Sequence, residues 1–182
     1  MDITLALGAT LVLFVPLLII GLLVRLTSPG PVLYWSDRIG SGNKVFRMPK
    51  FRSMRTDTPV VATHLLTQAD AYITPLGSFL RRSSLDELPQ LWNIIKGDMS
   101  FVGPRPALYN QYDLIQMRTE KGVHTLLPGL TGWAQINGRD ELDLAQKVAF
   151  DVEYLERRSL LFDIKILWAT LLQAVRRQGV AH

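Results

Sequence analysis

The chain opens on an apolar run, Ile3–Val24, that carries no charged side chain. Wound as an α-helix at about 1.5 Å per residue, the run reaches about 33 Å, against about 30 Å for the hydrocarbon core of a bilayer. A cleaved leader would begin with basic residues and be shorter, whereas here Met1-Asp2 leads a long run. Two readings remain: a helix that spans the bilayer, and one that enters and turns back. Pro16 lies near the middle, after Val15. It removes one backbone donor and crowds the preceding turn, so a kink is predicted there. Hydropathy rules alone favour the span. In either case the basic residues beyond the run place the remaining domain on the cytoplasmic side.

After the run the pattern becomes mixed. Pro29-Gly30-Pro31 breaks the first helix. Val32–Trp35 reads as a strand, Gly40–Asn43 as a turn and Lys44–Met48 as the return strand, together a hairpin. Asp57–Ala71 reads as a loop or short helix. Thr74-Pro75 predicts a helix start, with threonine as cap and proline in the first turn, running to Arg82. Leu88, Leu91, Trp92 and Ile95 follow the i, i+3, i+4, i+7 spacing of a helix with one buried face, ended by Gly97. Ser84 and Glu87 have the spacing of a capping box, although Pro89 would suit Asp86 as the cap. Met99–Val102 reads as a short strand, Tyr109–Arg118 as a helix, and Leu142–Arg157 as an amphipathic, strongly charged surface helix. Residues 159–177 combine Leu160, Leu161, Ile164, Trp168, Leu171 and Leu172 with Lys165, Arg176 and Arg177. That pattern suits a helix lying in a membrane interface, and equally one packed on a core. The fold class is α+β, mostly α: a membrane helix over 1–28, then a compact domain over 29–182 with a small hairpin and an interface helix.

Composition narrows the chemistry. The formal charge is +4, from 20 Lys and Arg against 16 Asp and Glu. Asp2 and Arg25 cancel within the first thirty residues, so the excess belongs to the later domain and suggests an anionic partner. Membrane lipid and a phosphorylated substrate fit a tethered domain, and no nucleic-acid motif is present. The chain has no cysteine, which excludes disulfides and thiol chemistry, and His64, His124 and His182 form no metal-binding pair. A bound metal would be a hard cation on carboxylates.

Three stretches carry candidate chemistry. Asp86-Glu87 falls at a predicted helix start, close to Arg81 and Arg82. Acidic residues there ordinarily only cap the helix. The sharper reading is a low-pKa carboxylate beside a second one, able to hold a divalent cation against phosphate. Arg105 lies between Pro104 and Pro106. A stiff loop would let its guanidinium grip phosphate bidentately with little entropy to lose; the ordinary alternative is a rigid turn. Pro128–Arg139 is rich in glycine and amides and suits a binding loop, with Gln135, Asn137 and Arg139 as donors. Lys50 and Arg52 belong to a basic face that either meets substrate phosphates or lies on anionic lipid.

Four stretches in order, Lys50–Met54, Ser84–Asn93, Gly97–Pro106 and Pro128–Arg139, resemble the bacterial sugar transferase family, the small monotopic phosphoglycosyl transferases of the PglC type. The resemblance covers nearly the whole chain. It implies that Asp86 is a nucleophile attacking the sugar-linked phosphate of a UDP-sugar, releasing UMP. Polyprenyl phosphate would then take the phosphosugar from the carboxylate. It implies Mg²⁺ held by Glu87 with Asp86, and substrate contacts from Arg105 and Arg139, with Lys50, Arg52 and Arg82 as further candidates. It also implies a re-entrant first helix, reversing the preference for a span, and a place at the bacterial inner membrane with the catalytic domain in the cytoplasm. The family often has a serine before the central proline. Val15 offers no hydroxyl to a carbonyl freed by a kink. Apolar faces near the membrane are compatible with a homodimer. A non-catalytic membrane adaptor and a metal-dependent phosphohydrolase are the rival readings, and the identity of the sugar is not encoded legibly.

Overall fold

The computed structural model describes residues 2–59, 69–138 and 142–176. It groups into two compact units. The first comprises Ile3–Ser36 and Met48–Trp92; the second comprises Asp2, Asp37–Arg47 and the residues from Asn93 onward. The loop or short helix expected over residues 57–71 falls largely on residues 60–68, outside the described residues, and a 3₁₀ turn stands at Ala69–Tyr72.

In the first unit, α1 (Asp2–Thr27) runs without interruption through Pro16. It is apolar nearly all round, and its middle is bare: Leu11 is 80% and Val12 78% exposed. Uncovered apolar surface of that extent marks a membrane or protein contact. Among the described residues it alone has the length and hydropathy to cross a membrane. Its far end is anchored. Ile20 and Val24 pack with Phe51 and Leu80, and Leu17, Val32, Leu76, Leu85 and Leu88 close around them.

The expected hairpin is present as β1 (Leu33–Ile39) and β2 (Val45–Phe51), joined by a tight 3₁₀ turn at Ser41–Asn43. The helix expected from Thr74-Pro75 begins later, as α2 (Gly77–Arg82) with Leu76 as its N-cap; the Thr74 hydroxyl accepts from the Gly77 amide at 3.0 Å in the turn that precedes it.

The second unit is built on a parallel pair, β3 (Ser100–Val102) and β4 (Gly129–Thr131), in register Ser100 to Gly129 and Val102 to Thr131. A parallel pair needs a long crossover, and α4 (Tyr112–Glu120) lies within it. After β4 come α5 (Trp133–Ile136), α6 (Leu144–Arg157) and α7 (Leu160–Arg176). Asp143 and Gln146 form a capping box at the start of α6. This helix is less a surface element than its charge suggested, because it buries Val148, Asp151 and Tyr154.

The core-packing reading of α7 holds on one face, and the other face is exposed. Phe162 and Ile166 enter a core with Val102, Leu126 and Tyr154. Leu161, Ile164, Trp168, Leu171 and Leu172 form an exposed apolar stripe at helical spacing. Near its start, Asp163 accepts a bond from the Tyr154 hydroxyl at 2.8 Å. Burial raises the Asp163 carboxyl above its ordinary pKa, and the Asp2 carboxylate adds to the rise.

Candidate active site

The acidic pair sits in an irregular segment of the first unit. Pro89 lacks an amide and would clash with the carbonyl four residues back, so an α-helix cannot pass through residues 85–88 undistorted. The chain winds instead as a 3₁₀ turn over Leu85–Gln90, and α3 (Leu91–Lys96) begins after it. The expected capping box of Ser84 and Glu87 is therefore absent. Ser84 adopts a left-handed conformation at φ 56° and its side chain makes no cap bond. The face predicted from Leu88, Leu91, Trp92 and Ile95 is also rotated. Gln90, Leu91, Asn93 and Ile94 are buried, whereas Trp92 is 55% exposed. The mixed 3₁₀ and α winding breaks the 3.6-residue period on which the prediction rested.

That winding places Asp86 inward, 8% exposed. Glu87, also largely buried, accepts an ion-paired bond from Lys50 Nζ on β2 at 2.8 Å. Both members of this pair are largely shielded from water, so the lysine charge acts on Glu87 with less screening than a surface pair would allow. Four residues beyond Asp86, Gln90 is buried, and its Nε2 has no acceptor among the described residues. A buried, unpaired donor is uncommon and favours a partner supplied from outside the fold.

Two further cations of this unit take different places. Arg52 is 4% exposed, and its guanidinium donates to Ser28 O, Ser28 Oγ and Pro29 O at 2.6–2.7 Å. It ties down the chain leaving α1 rather than facing outward. Burial, helped by Arg25, lowers its pKa. Arg82 is exposed at the end of α2.

In the second unit, Arg105 is half-buried on the loop after β3. Gln135 and Asn137 do not project as free donors. Gln135 Nε2 donates to Leu130 O at 3.3 Å, and Asn137 Nδ2 donates to Trp133 O at 2.8 Å. The glycines of this stretch also have a local reason. A Cβ on Gly129 would collide with Gly103 N, and one on Gly132 with Gly103 O. Within the expected binding loop, residues 129–136 form a strand and a helical turn whose glycines make close backbone contact. Arg139 lies outside the described residues.

Sequence reading missed two buried polar groups. Asn93, wholly buried, donates to Arg47 O at 2.9 Å and to Asp98 Oδ2 at 3.1 Å, and its backbone carbonyl accepts the amides of Asp98 and Met99. The other is the pair Arg118–Asp151, on two helices far apart in sequence, which no spacing rule could join.

The donor set fits magnesium better than zinc. Among the described residues no three His, Asp or Glu side chains gather. Mg²⁺ does not need three, since it is commonly held by one or two carboxylates with substrate phosphates and water completing its shell.

A model of the bacterial sugar transferase family matches residues 1–177. The UDP-glucose:undecaprenyl-phosphate glucose-1-phosphate transferase of Escherichia coli is 43% identical over 93% of this chain and 38% of its own length. The undecaprenyl-phosphate glucose phosphotransferase of Komagataeibacter xylinus is 41% identical over 93% of this chain and 34% of its own length. The chain thus spans little more than a third of these two relatives. The exopolysaccharide production protein ExoY of Rhizobium meliloti is 38% identical, over 92% of this chain and 80% of its own. The chain belongs to the bacterial sugar transferase family.

Proposed function

We propose that the chain transfers a sugar 1-phosphate from a UDP-sugar to polyprenyl phosphate and releases UMP. The observation that carries this reading is the shielded Asp86–Glu87 pair, with Lys50 on Glu87 and strained Ser84 at its entry. Relatives named for transfer onto undecaprenyl phosphate support the substrate class.

The chemistry balances in two steps. An Asp86 carboxylate oxygen attacks the sugar-linked phosphorus. The pyrophosphate bond to the other phosphorus breaks, and UMP leaves with the bridging oxygen. The phosphosugar remains on Asp86 as an acyl phosphate. A phosphate oxygen of the polyprenyl carrier then attacks the same phosphorus, the bond to Asp86 breaks, and the carboxylate is restored. Glu87, with Asp86, would hold Mg²⁺, which offsets charge on the phosphoryl oxygens when bound. Lys50 holds one oxygen of Glu87 and so fixes the direction of the other. Arg105, on its stiff loop, is assigned a phosphate of the substrate, with Arg139 as a second cation.

The membrane reading that best fits is a re-entrant α1. Its support is Pro16 near the middle of the apolar run, where a turn would cost least, and the uncovered middle of α1 at Leu11 and Val12, the part that would enter lipid. The exposed stripe of α7 lies in the interface on this reading, with the domain on the cytoplasmic face of the inner membrane.

The test is UMP release by the detergent-solubilised protein with Mg²⁺, undecaprenyl phosphate and a panel of UDP-sugars. Release that depends on lipid, and falls at least about 1,000-fold in Asp86→Asn, is the expected result. Equal release by the variant would leave Asp86 as a structural carboxylate. Release without lipid would point to a hydrolase, and none with any sugar to an adaptor.

A further inference from the structure

The loop that carries Arg105 is fixed at every peptide in turn. Pro104 O accepts from the Gly129 amide at 2.9 Å, Arg105 O from Arg118 Nη1 at 2.8 Å, Pro106 O from Arg38 Nη1 at 3.1 Å, and Ala107 O from the Ile39 amide at 3.0 Å. Two of these four donors are backbone amides of neighbouring strands. The other two are arginine side chains reaching in from β1 and α4. The donation to Arg105 O is the one that acts on the peptide of the cation itself.

Arg118 is itself held. Its Nε donates to Asp151 Oδ2 at 2.9 Å, and Nη2 reaches the same oxygen at 2.7 Å. Asp151 is 2% exposed. Burial raises its pKa, and Arg118 pulls it back down. A buried carboxylate oxygen that takes both contacts along the Nε–Nη2 edge of a planar guanidinium leaves Nη1 turned away from it, and Nη1 meets the Arg105 carbonyl. Ala107, Leu114 and Val148 pack as a core cluster on the same three segments, so the loop, α4 and α6 move together or not at all.

We infer that Arg118, oriented by Asp151, is a positioning residue that presets the Arg105 guanidinium for a substrate phosphate. This rests on the phosphate role proposed for Arg105. The physical effect is preorganisation: a cation held in place before substrate arrives loses little entropy on gripping it. Lysine at position 118 would keep a charge beside Asp151. A single ammonium on a flexible stem could not hold the carboxylate and aim at the carbonyl in the same fixed geometry.

The experiment is a double-mutant cycle between positions 118 and 105, read in two ways: kcat/KM for lipid-dependent UMP release, and the Kd of UDP by calorimetry with Mg²⁺, which needs no turnover. Arg118→Met is expected to lower kcat/KM about 30-fold and weaken UDP about fivefold when Arg105 is present. In an Arg105→Ala background the same change should alter either readout by less than about twofold. Arg118→Lys should keep the melting temperature near that of the parent yet lose most of the activity. Removing one member of a buried pair threatens folding, so the paired variant Arg118→Met/Asp151→Leu, which leaves no lone charge, serves if Arg118→Met does not fold. Equal losses from Arg118→Met in both backgrounds, or full activity in Arg118→Lys, would overturn the positioning role. Unchanged turnover and UDP affinity in Arg105→Ala would instead overturn the phosphate role on which it rests.

Discussion

Ser84 and Gly132 each open a segment rich in polar side chains, and each is the residue type its backbone least requires. Ser84 stands at φ 56°, where glycine would be unstrained. Gly132 stands at φ −175°, an extended conformation open to any residue. The difference lies in what surrounds them. At Gly132 a Cβ would meet Gly103 O and Gln135 Oε1, so the space is closed. At Ser84 the residue is exposed, and the backbone, not the space, is under load. The polar groups of the two segments differ in the same sense. Glu87 reaches out of its own turn to Lys50, whereas Gln135 and Asn137 bond back to their own segment. One segment holds a left-handed serine beside two shielded carboxylates; the other is close-packed scaffold. Strain retained beside chemistry-bearing groups is the pattern of a working site.

The contrast breaks most readily at Gly132. Gly132→Ala forces its methyl into backbone oxygen, and overpacking of that kind costs about 2–3 kcal/mol. The expected result is a fall of about 5–10 °C in melting temperature for a chain of this size. An unchanged melting temperature would mean that β4 and α5 are not the rigid scaffold described.

Lys50→Met tests the other segment with a smaller effect. It removes the cation from a shielded Glu87 while keeping the length of the side chain. About a tenfold loss in kcat/KM is expected, with binding of Mg²⁺ weakened in step, because Glu87 is no longer held in one orientation. Full activity would make the pair an ordinary structural contact.

How far these roles were legible depends on the distance over which each acts. The first helix, the hairpin and the core-packing reading of α7 depend on local pattern, and local pattern predicted them. Asp86-Glu87 was legible as a candidate because neighbouring acids before an apolar run are conspicuous. Its setting was not, since Pro89 converts the expected helix into a 3₁₀ turn and rotates the buried face from Trp92 to Ile94. The glycines of residues 129–132 were ambiguous for a related reason. Glycine suits both a ligand loop and a tight backbone contact, and only the position of Gly103 reveals the second. Arg118 and Asp151 lie outside any motif, so only the fold could bring them together.

The smallest expected effect is also the most discriminating. Ser84→Gly removes the left-handed penalty, about 1–2 kcal/mol for an L-residue. It adds the greater freedom of glycine in the unfolded chain, about 0.5–1 kcal/mol against folding. The net is a gain of about 0.5 kcal/mol, or about 1–2 °C in melting temperature. If the strain at Ser84 helps aim Asp86, the same variant should lose activity a few-fold while becoming more stable, because the turn relaxes away from the reactive geometry. A gain in stability with no loss in rate would separate the strain from the chemistry. A loss of stability would mean that the serine side chain holds the turn in a way its backbone angle does not reveal, and the contrast with Gly132 would then rest on packing at both ends.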